Sequence, residues 1–173
     1  MHTIEIKEIL SGQNKQYKEF LEHALQADEE SLLITYNDIR ELAFPTKDRY
    51  DSFTLGAYIN NILAGVVSFA RDGEDREKLR HKGLLSTMYV SKEFRGCGVA
   101  KKLLEEVIKR VRAIPDIEQI NLIVISSNSK AKPLYEQFGF VKFGTEEHSI
   151  KWKNSYFAED HMVLRIRHNS FNH

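Results

Sequence analysis

The sequence predicts a mixed α/β domain, and three neighbouring segments carry that prediction. Residues 99–111 place apolar side chains at helical spacing, with charged residues on the opposite face. The run "INLIVI", residues 120–125, is continuous and β-branched, which is typical of a strand buried on both faces. With the strand "GLLSTMYV" at 83–90, these segments make a strand, helix and strand crossover. The length of 173 residues suits one domain, expected to span residues 1–173.

The elements before this crossover follow from local periodicity. Residues 2–9 alternate as a strand does, and the segment after them repeats apolar residues at helical spacing: Tyr17, Phe20, Leu21, Ala24 and Leu25. A weaker helix is expected within 31–43, ended by Pro45. Residues 53–58 and 62–70 read as strands of a hairpin that turns at Asn60 and Asn61. The polar segment 71–82 is expected to be an exposed loop.

The elements after the crossover complete the predicted order. The strongest helix is expected to end near Pro115, and a short helix with Ala131, Leu134, Tyr135 and Phe138 on one face stops at Gly139. Two strands are expected around 140–147 and 159–166. The order is therefore βααβββαβαββ.

Composition narrows the function classes. The chain is 42% apolar, and Lys plus Arg equals Asp plus Glu at 25 each, so no net field draws it to nucleic acid or a membrane. Cys97 is the single cysteine, which excludes an intrachain disulfide and a cysteine-based metal site, and we expect no metal. The start "MHTIEIKEIL" lacks signal-peptide features, and no apolar run reaches transmembrane length. These features predict a soluble, cytoplasmic protein.

The segment "FRGCGVAKKLL", residues 94–104, indicates an anion site. Two glycines stand directly before a strong helix, where unpaired backbone N–H groups and the helix dipole favour phosphate. Gly96 and Gly98 would let a phosphate oxygen approach the backbone, and Arg95 adds a cation. A P-loop would need a GKS or GKT ending, and a dinucleotide loop would need glycine where Lys101 stands.

The remaining pattern is Arg-x-x-Gly-x-Ala, formed by Arg95, Gly98 and Ala100 after a strand. It resembles the acyl-CoA loop of the GNAT superfamily of N-acyltransferases, although a tight turn before a plain helix would also produce it. The segment "NSKAKPLYEQFGF", residues 128–140, is similar to a second family motif, Asn-x-x-Ala-x-x-Leu-Tyr-x-x-x-Gly-Phe, at every fixed position. The resemblance covers 53–166 well and the N-terminal third only by helix order. It implies a mixed, mostly antiparallel sheet of about seven strands flanked by about four helices.

The resemblance also implies how acetyl-CoA is bound. Its pyrophosphate would lie on the backbone amides of Arg95, Gly96, Cys97, Gly98, Val99, Ala100 and Lys101. Its pantetheine arm would pair with the backbone of Met88, Tyr89 and Val90. A splay between that strand and 120–125 would open the slot where acetyl group and amine meet.

Four side chains have a functional interpretation, which the family resemblance implies for Tyr135 and Asn128, and an ordinary alternative. Tyr135 is the implied general acid for the leaving thiolate, or a core tyrosine on an apolar helix stripe. Asn128 contacts the cofactor arm or caps the short helix. Lys132 reaches a CoA phosphate or is an exposed helix lysine. Cys97 carries a thiol of lowered pKa at a helix N-terminus or is a small packing residue.

The general base and the amine stay open at this stage. Carboxylates and histidines of the C-terminal segment are base candidates, as is a water chain without a dedicated base: Glu146, Glu147, His148, Asp160 and His161. Substrate choice is expected to come from 13–50 and 144–159, where the first segment offers acidic and aromatic side chains: Tyr36, Asp38, Glu41, Asp48 and Tyr50.

The expected activity is transfer of acetyl from acetyl-CoA to a primary amine, by direct attack through a tetrahedral intermediate. The amine is a polyamine, an amino acid, an aminoglycoside or a peptide N-terminus. The alternative is a GNAT module that holds acyl-CoA without turnover, as a sensor or partner subunit. A nucleic-acid-binding domain is disfavoured by neutral charge. We expect no nucleic-acid or membrane partner, and a homodimer through the C-terminal strands is conceivable.

Overall fold

The computed structural model describes residues 3–167, which form seven β-strands and four α-helices. The strands are β1 (Ile4–Ile9), β2 (Ser52–Ile59), β3 (Ile62–Arg71), β4 (Lys82–Val90), β5 (Gln119–Ile125), β6 (Val141–Trp152) and β7 (Ser155–Arg165). The helices are α1 (Asn14–Asp28), α2 (Tyr36–Glu41), α3 (Val99–Arg112) and α4 (Ala131–Gln137). The strands are hydrogen-bonded in the order β1-β2-β3-β4-β5-β7-β6. The predicted element order and the mixed, mostly antiparallel seven-stranded sheet are confirmed.

The chain divides into two compact units, and the division passes through β4. One unit comprises the described residues up to Ala70 together with Thr87–Ile114. The other comprises Arg71–Ser86 and the described residues from Pro115. The expectation of a single domain over the whole chain remains a prediction. No helix in residues 3–167 is long and apolar enough to cross a membrane.

The first unit is built on apolar faces that the sequence marks clearly. The five apolar residues predicted to line one face of α1 are all buried, and α3 buries its stripe against β1 and β2. The hairpin between β2 and β3 turns at Asn60 and Asn61, whose φ angles of 50° and 64° are those of a type I′ turn. The turn therefore fixes the register in which Ile59 pairs with Ile62.

The second unit carries the parallel pair. β4 pairs with β5 at Lys82–Leu84, and β5 pairs antiparallel with β7 along its whole length. The expectation that β5 is buried on both faces is wrong, because Ile123 is 45% exposed. Strand side chains alternate between faces, so Ile120, Leu122 and Val124 fill the core on one side while Ile123 points to the other. An apolar run does not by itself show that both faces are covered.

The C-terminal strands are longer than predicted. The segment 144–159, expected to be mostly a connection, is a continuous β6–β7 hairpin in which Trp152 pairs with Ser155. Lys153 takes a φ of 54° in the turn. Nearly every residue of β6 is exposed or half-buried, so pairing with β7 forms this strand and burial contributes little. Hydrophobic alternation, the sequence signal for a strand, is correspondingly weak here.

One residue of the predicted exposed loop is buried. The side chain of Arg71 is 1% exposed, and its two terminal nitrogens each donate to an Asp116 carboxylate oxygen at 3.0 Å. Arg71 also donates to the carbonyl of Arg80. These hydrogen bonds from Arg71 are the first cause that holds the pKa of Asp116 below its ordinary value. The bidentate contact with a carboxylate compensates for burying the guanidinium. The prediction of an exposed loop is therefore wrong at Arg71, which is buried at the end of β3.

Removing this carboxylate is expected to destabilise the fold. In Asp116→Ala the buried guanidinium of Arg71 loses two charge-assisted hydrogen bonds, and we expect the free energy of unfolding to fall by about 3 kcal/mol. Urea titration followed by circular dichroism measures the change. The matched control is Asp75→Ala, an exposed aspartate between β3 and β4, for which a change within about 0.5 kcal/mol is expected. Equal stability of the two variants would contradict this account of Arg71.

Candidate active site

The glycine segment forms an open loop at the start of α3. After β4 a short 3-10 turn spans Lys92–Phe94, and the chain then takes positive φ angles at Gly96 (77°) and Gly98 (85°). Gly98 is the N-cap of α3, and no side chain caps the helix. A Cβ built on either glycine would meet nothing within 4 Å. The loop therefore needs glycine for its backbone conformation, and the space in front of it is open.

The start of α3 offers backbone amides without a side-chain cap. The first amides of α3, from Val99 onward, have no acceptor within the helix, and the helix dipole adds positive potential at the same end. The positive φ angles of Gly96 and Gly98 are ones that a side chain would disfavour, so glycine keeps the backbone in front of α3 uncovered. The residues present fit a pyrophosphate group, and side-chain identity matters little except at the glycines.

The Arg95 guanidinium, expected at the mouth of the loop, already has partners. It donates to the Val90 carbonyl oxygen at 3.1 Å, forms an ion pair with Asp28 at the end of α1, and lies 5.5 Å from the centre of the Tyr89 ring. Burial opposes ionisation of Asp28, but hydrogen bonds from Ser31 and Arg95 outweigh it and hold its pKa below the ordinary value. Arg95 therefore fixes the loop to α1, and its contact with CoA remains a prediction.

The end of β4 has an unusual backbone. Thr87 takes a φ of 48° within the strand, a conformation that is uncommon for a β-branched residue and costs about 1–3 kcal/mol. Beyond it, Met88 and Val90 are half-buried, whereas the Tyr89 side chain is buried and packs edge-on against Phe20. The expected pairing of this backbone with pantetheine remains a prediction. The irregular strand is consistent with a functional role at this point.

Two other residues of the loop are exposed. The Cys97 side chain is exposed, and its Sγ lies 3.8 Å from the Arg95 carbonyl oxygen. The packing role considered for Cys97 is therefore wrong, because a side chain exposed to solvent does not fill the core. Lys101 is exposed on the first turn of α3, and Ala100 is half-buried there. The expected contacts of Ala100 and Lys101 with CoA remain predictions.

Tyr135 lies on α4, in the second unit. Its side chain is 6% exposed and packs edge-on against Phe140, with ring centres 5.8 Å apart. Burial raises the pKa of Tyr135 to about 12, so the phenol keeps its proton at neutral pH. The Asn128 side chain accepts from the Ala131 amide at 3.0 Å and so caps the start of α4. Its expected contact with the cofactor arm remains a prediction.

A buried ion pair joins α4 to β7. Lys132 Nζ lies 2.6 Å from Asp160 Oδ2 and donates to the Ser126 carbonyl oxygen at 3.1 Å. Asp160 is 1% exposed, and its other oxygen accepts from Ser126 Oγ at 2.9 Å and Thr145 Oγ1 at 2.7 Å. Hydrogen bonds from Lys132, then Thr145 and Ser126, hold the pKa of Asp160 far below its ordinary value. Such a carboxylate is a weak proton acceptor, which argues against Asp160 as the general base.

The other four base candidates lie along the β6–β7 hairpin. His161 follows Asp160 on β7 and therefore points to the opposite side of the sheet. There its Nε2 lies 3.8 Å from Glu146 Oε2, and its ring is 6.0 Å from that of Phe143. Glu147 is exposed. His148, on β6, stacks on Tyr156 with ring centres 4.8 Å apart. Of the five candidates, His161 and Glu146 are the two that come together.

Two acidic side chains proposed for amine binding have structural partners. Asp38 accepts from the Thr35 amide at 2.7 Å in the capping box of α2. Asp48 accepts from the Ser11 amide at 3.0 Å and from its hydroxyl. Sequence spacing alone could not separate these local roles from substrate recognition.

The predicted site residues thus fall into two groups. The loop residues 95–101 and the end of β4 belong to the first unit, and Asn128, Lys132 and Tyr135 belong to the second. Asp28, Ser126 and Thr145 carry no mark in the sequence, because each acts through a partner distant along the chain, as far as 67 residues for Asp28 and Arg95. No local pattern marks such pairs.

Comparison with known proteins gives the family. The model of the acetyltransferase (GNAT) family matches residues 13–140. The chain therefore belongs to the GNAT acetyltransferase family, which uses acetyl-CoA as the acetyl donor. A curated relative, the "Probable spermine N(1)-acetyltransferase" of Bacillus subtilis subsp. natto (strain BEST195), is 26% identical over 87 residues. That match covers 50% of this chain and 57% of the relative's length.

Solved structures of the same fold agree. The acetyltransferase of GNAT family from Streptococcus pneumoniae has a TM-score of 0.77 at 24% identity, covering 95% of this chain and 100% of that one. The ribosomal-protein-S18-alanine N-acetyltransferase of Escherichia coli has a TM-score of 0.76 at 15% identity, covering 98% of each chain. The protein yncA of Salmonella typhimurium, solved with its cofactor acetyl-CoA, has a TM-score of 0.75 at 18% identity, covering 96% of each. At these identities the likeness shows the fold.

Proposed function

We propose that this protein transfers the acetyl group of acetyl-CoA to a primary amine. The observation that carries the proposal is the uncapped start of α3, where Gly96 and Gly98 leave backbone amides open to a pyrophosphate. Membership of the GNAT family supplies the donor. A neutral phenol at Tyr135 supplies a proton donor of the kind that a thiolate leaving group needs.

In the proposed reaction the amine nitrogen attacks the thioester carbonyl carbon directly, and the carbon–sulfur bond then breaks. The nitrogen loses one proton and the sulfur gains one, so the reaction is neutral in protons. An alkyl thiol has a pKa of about 8.5, which makes it a stronger acid than a phenol with a pKa of about 12. Tyr135 therefore stabilises the developing thiolate mainly as a hydrogen-bond donor, and the proton released by nitrogen restores any phenol that has given up its own.

We propose a polyamine as the first amine to test. The support is the name of the curated relative, a probable spermine acetyltransferase that matches half of this chain. Amino acids, aminoglycosides and peptide N-termini are the other classes of primary amine that suit the proposal. The amine would reach the thioester as the free base, because a protonated nitrogen has no lone pair with which to attack.

The alternative from another class is a GNAT module that binds acyl-CoA without turnover. Release of CoA thiol, measured with a panel of spermine, free amino acids, an aminoglycoside and a peptide with a free N-terminus, separates the two. We expect amine-dependent thiol release with at least one class and an acetylated amine as product. Acetyl-CoA binding without thiol release from any amine would favour the binding module.

A further inference from the structure

The Lys132–Asp160 ion pair is unusual for a surface helix. Asp160 is almost fully buried, accepts from two hydroxyl groups and forms an ion pair with Lys132 on the first turn of α4. Burying a carboxylate costs desolvation that its ion pair does not reliably recover, so such pairs are weak evidence for a purely stabilising role. A buried ion pair is better explained as a contact that selects one arrangement of the surrounding elements over others.

Helix α4 needs such an anchor. It spans seven residues, too few for a helix to be stable by itself, so contacts with the rest of the unit must set its position. The Asn128 cap and the two bonds of Lys132 hold its first turn to the end of β5 and to β7. Tyr135 follows Lys132 by three residues and so lies on the same side of the helix, one turn further on.

We propose that Asp160, acting through Lys132, is the positioning residue for Tyr135. The carboxylate fixes the ammonium, the ammonium fixes the first turn of α4, and the turn sets where the phenol points. This gives Asp160 a role other than general base and Lys132 a role other than CoA contact. The inference rests on the proposed function insofar as Tyr135 acts on the leaving thiolate.

The test combines kinetics with a double-mutant cycle. Asp160→Asn keeps the shape and an acceptor oxygen but removes the charge, and we expect kcat to fall about 10–100-fold with little change in the KM for acetyl-CoA. Lys132→Met keeps the apolar stem of the side chain and is expected to lower kcat to a similar extent. This variant tests the proposal if Asp160→Asn does not fold. In a Tyr135→Phe background the Asp160→Asn effect should largely disappear, because both changes act through one phenol.

The matched control is Lys142→Met. Lys142 Nζ lies 3.6 Å from the same carboxylate, but it belongs to β6 and its side chain is 51% exposed. We expect its kcat to stay close to that of the wild type. An unchanged kcat in Asp160→Asn, an effect that persists fully in the Tyr135→Phe background, or an equal effect of Lys142→Met would each overturn the proposal.

A second readout does not depend on turnover. Hydrogen exchange of the α4 amides, followed by mass spectrometry, should be at least about tenfold faster in Asp160→Asn than in the wild type, with exchange in α3 unchanged. If no amine is acetylated but α4 exchanges faster, the transferase proposal fails and the anchoring of α4 stands. Unchanged exchange in α4 would overturn the positioning role whether or not the protein is a transferase.

Discussion

Tyr135→Phe is expected to lower kcat about 10²–10⁴-fold while leaving the KM for acetyl-CoA nearly unchanged. The substitution removes one hydroxyl and keeps the ring that packs against Phe140, so the fold should persist. What is lost is the hydrogen bond to the developing thiolate, which exists only as the carbon–sulfur bond breaks. Steady-state thiol release measures both constants, and Tyr58→Phe, which removes the hydroxyl of a half-buried tyrosine on β2, should match the wild type.

The pH profile gives a second check on Tyr135. Because burial raises its pKa to about 12, the phenol stays protonated throughout the range in which an alkyl ammonium loses its proton. We therefore expect kcat/KM to rise from about pH 7 to about pH 10 as more amine becomes the free base. A fall within that window that is absent in Tyr135→Phe would mean that the phenol ionises, contrary to this account.

Gly98→Glu is expected to weaken acetyl-CoA binding at least about 100-fold, or about 2.7 kcal/mol. A side chain at this N-cap would stand in the open space where the phosphate approaches, and its charge would repel the phosphate. A non-glycine residue at a φ of 85° also strains the loop, by about 1–2 kcal/mol. Isothermal titration calorimetry measures the dissociation constant directly.

Two controls separate these causes. Gly98→Ala carries the backbone strain without the charge or the bulk, and we expect a much smaller loss of affinity than in Gly98→Glu. Gly12→Glu adds the same charge at another open glycine, one without a positive φ, and should bind as the wild type does. Similar affinities for Gly98→Glu and Gly12→Glu would show that the loop before α3 does not hold the phosphate.

Most of the fold could be predicted because its signals are local. The amphipathic stripe of α3, the glycines before it and the paired asparagines of the β2–β3 hairpin each fix their own backbone. The apolar face of α4 and the glycine after it place the short helix that precedes the last two strands. Prediction failed where strand pairing does not coincide with burial of the strand's side chains. The sequence of β5 predicted burial on both faces, although Ile123 is exposed. The β6–β7 hairpin extends through a segment with little apolar pattern.

The candidate site was predictable only in part, for the same reason. Positions that need a particular backbone, such as Gly98, or that match a motif, such as Tyr135, can be found along the chain. The partners that hold them cannot, because Asp28 reaches Arg95 and Asp160 reaches Lys132 only after folding. Asp160 is an example. The sequence offers it as one of five possible bases, whereas the structure shows a buried carboxylate that accepts hydrogen bonds from Ser126 and Thr145.

The most direct test of the central claim is a single turnover followed by mass spectrometry of both protein and amine. Enzyme in excess over acetyl-CoA is mixed with the amine that supports the fastest thiol release and is quenched at successive times. Direct transfer predicts that the acetylated amine appears at the rate at which free CoA appears and that the protein mass never changes. Acetyl groups accumulating on Cys97 before the amine is acetylated, and lost activity in Cys97→Ala, would contradict direct transfer.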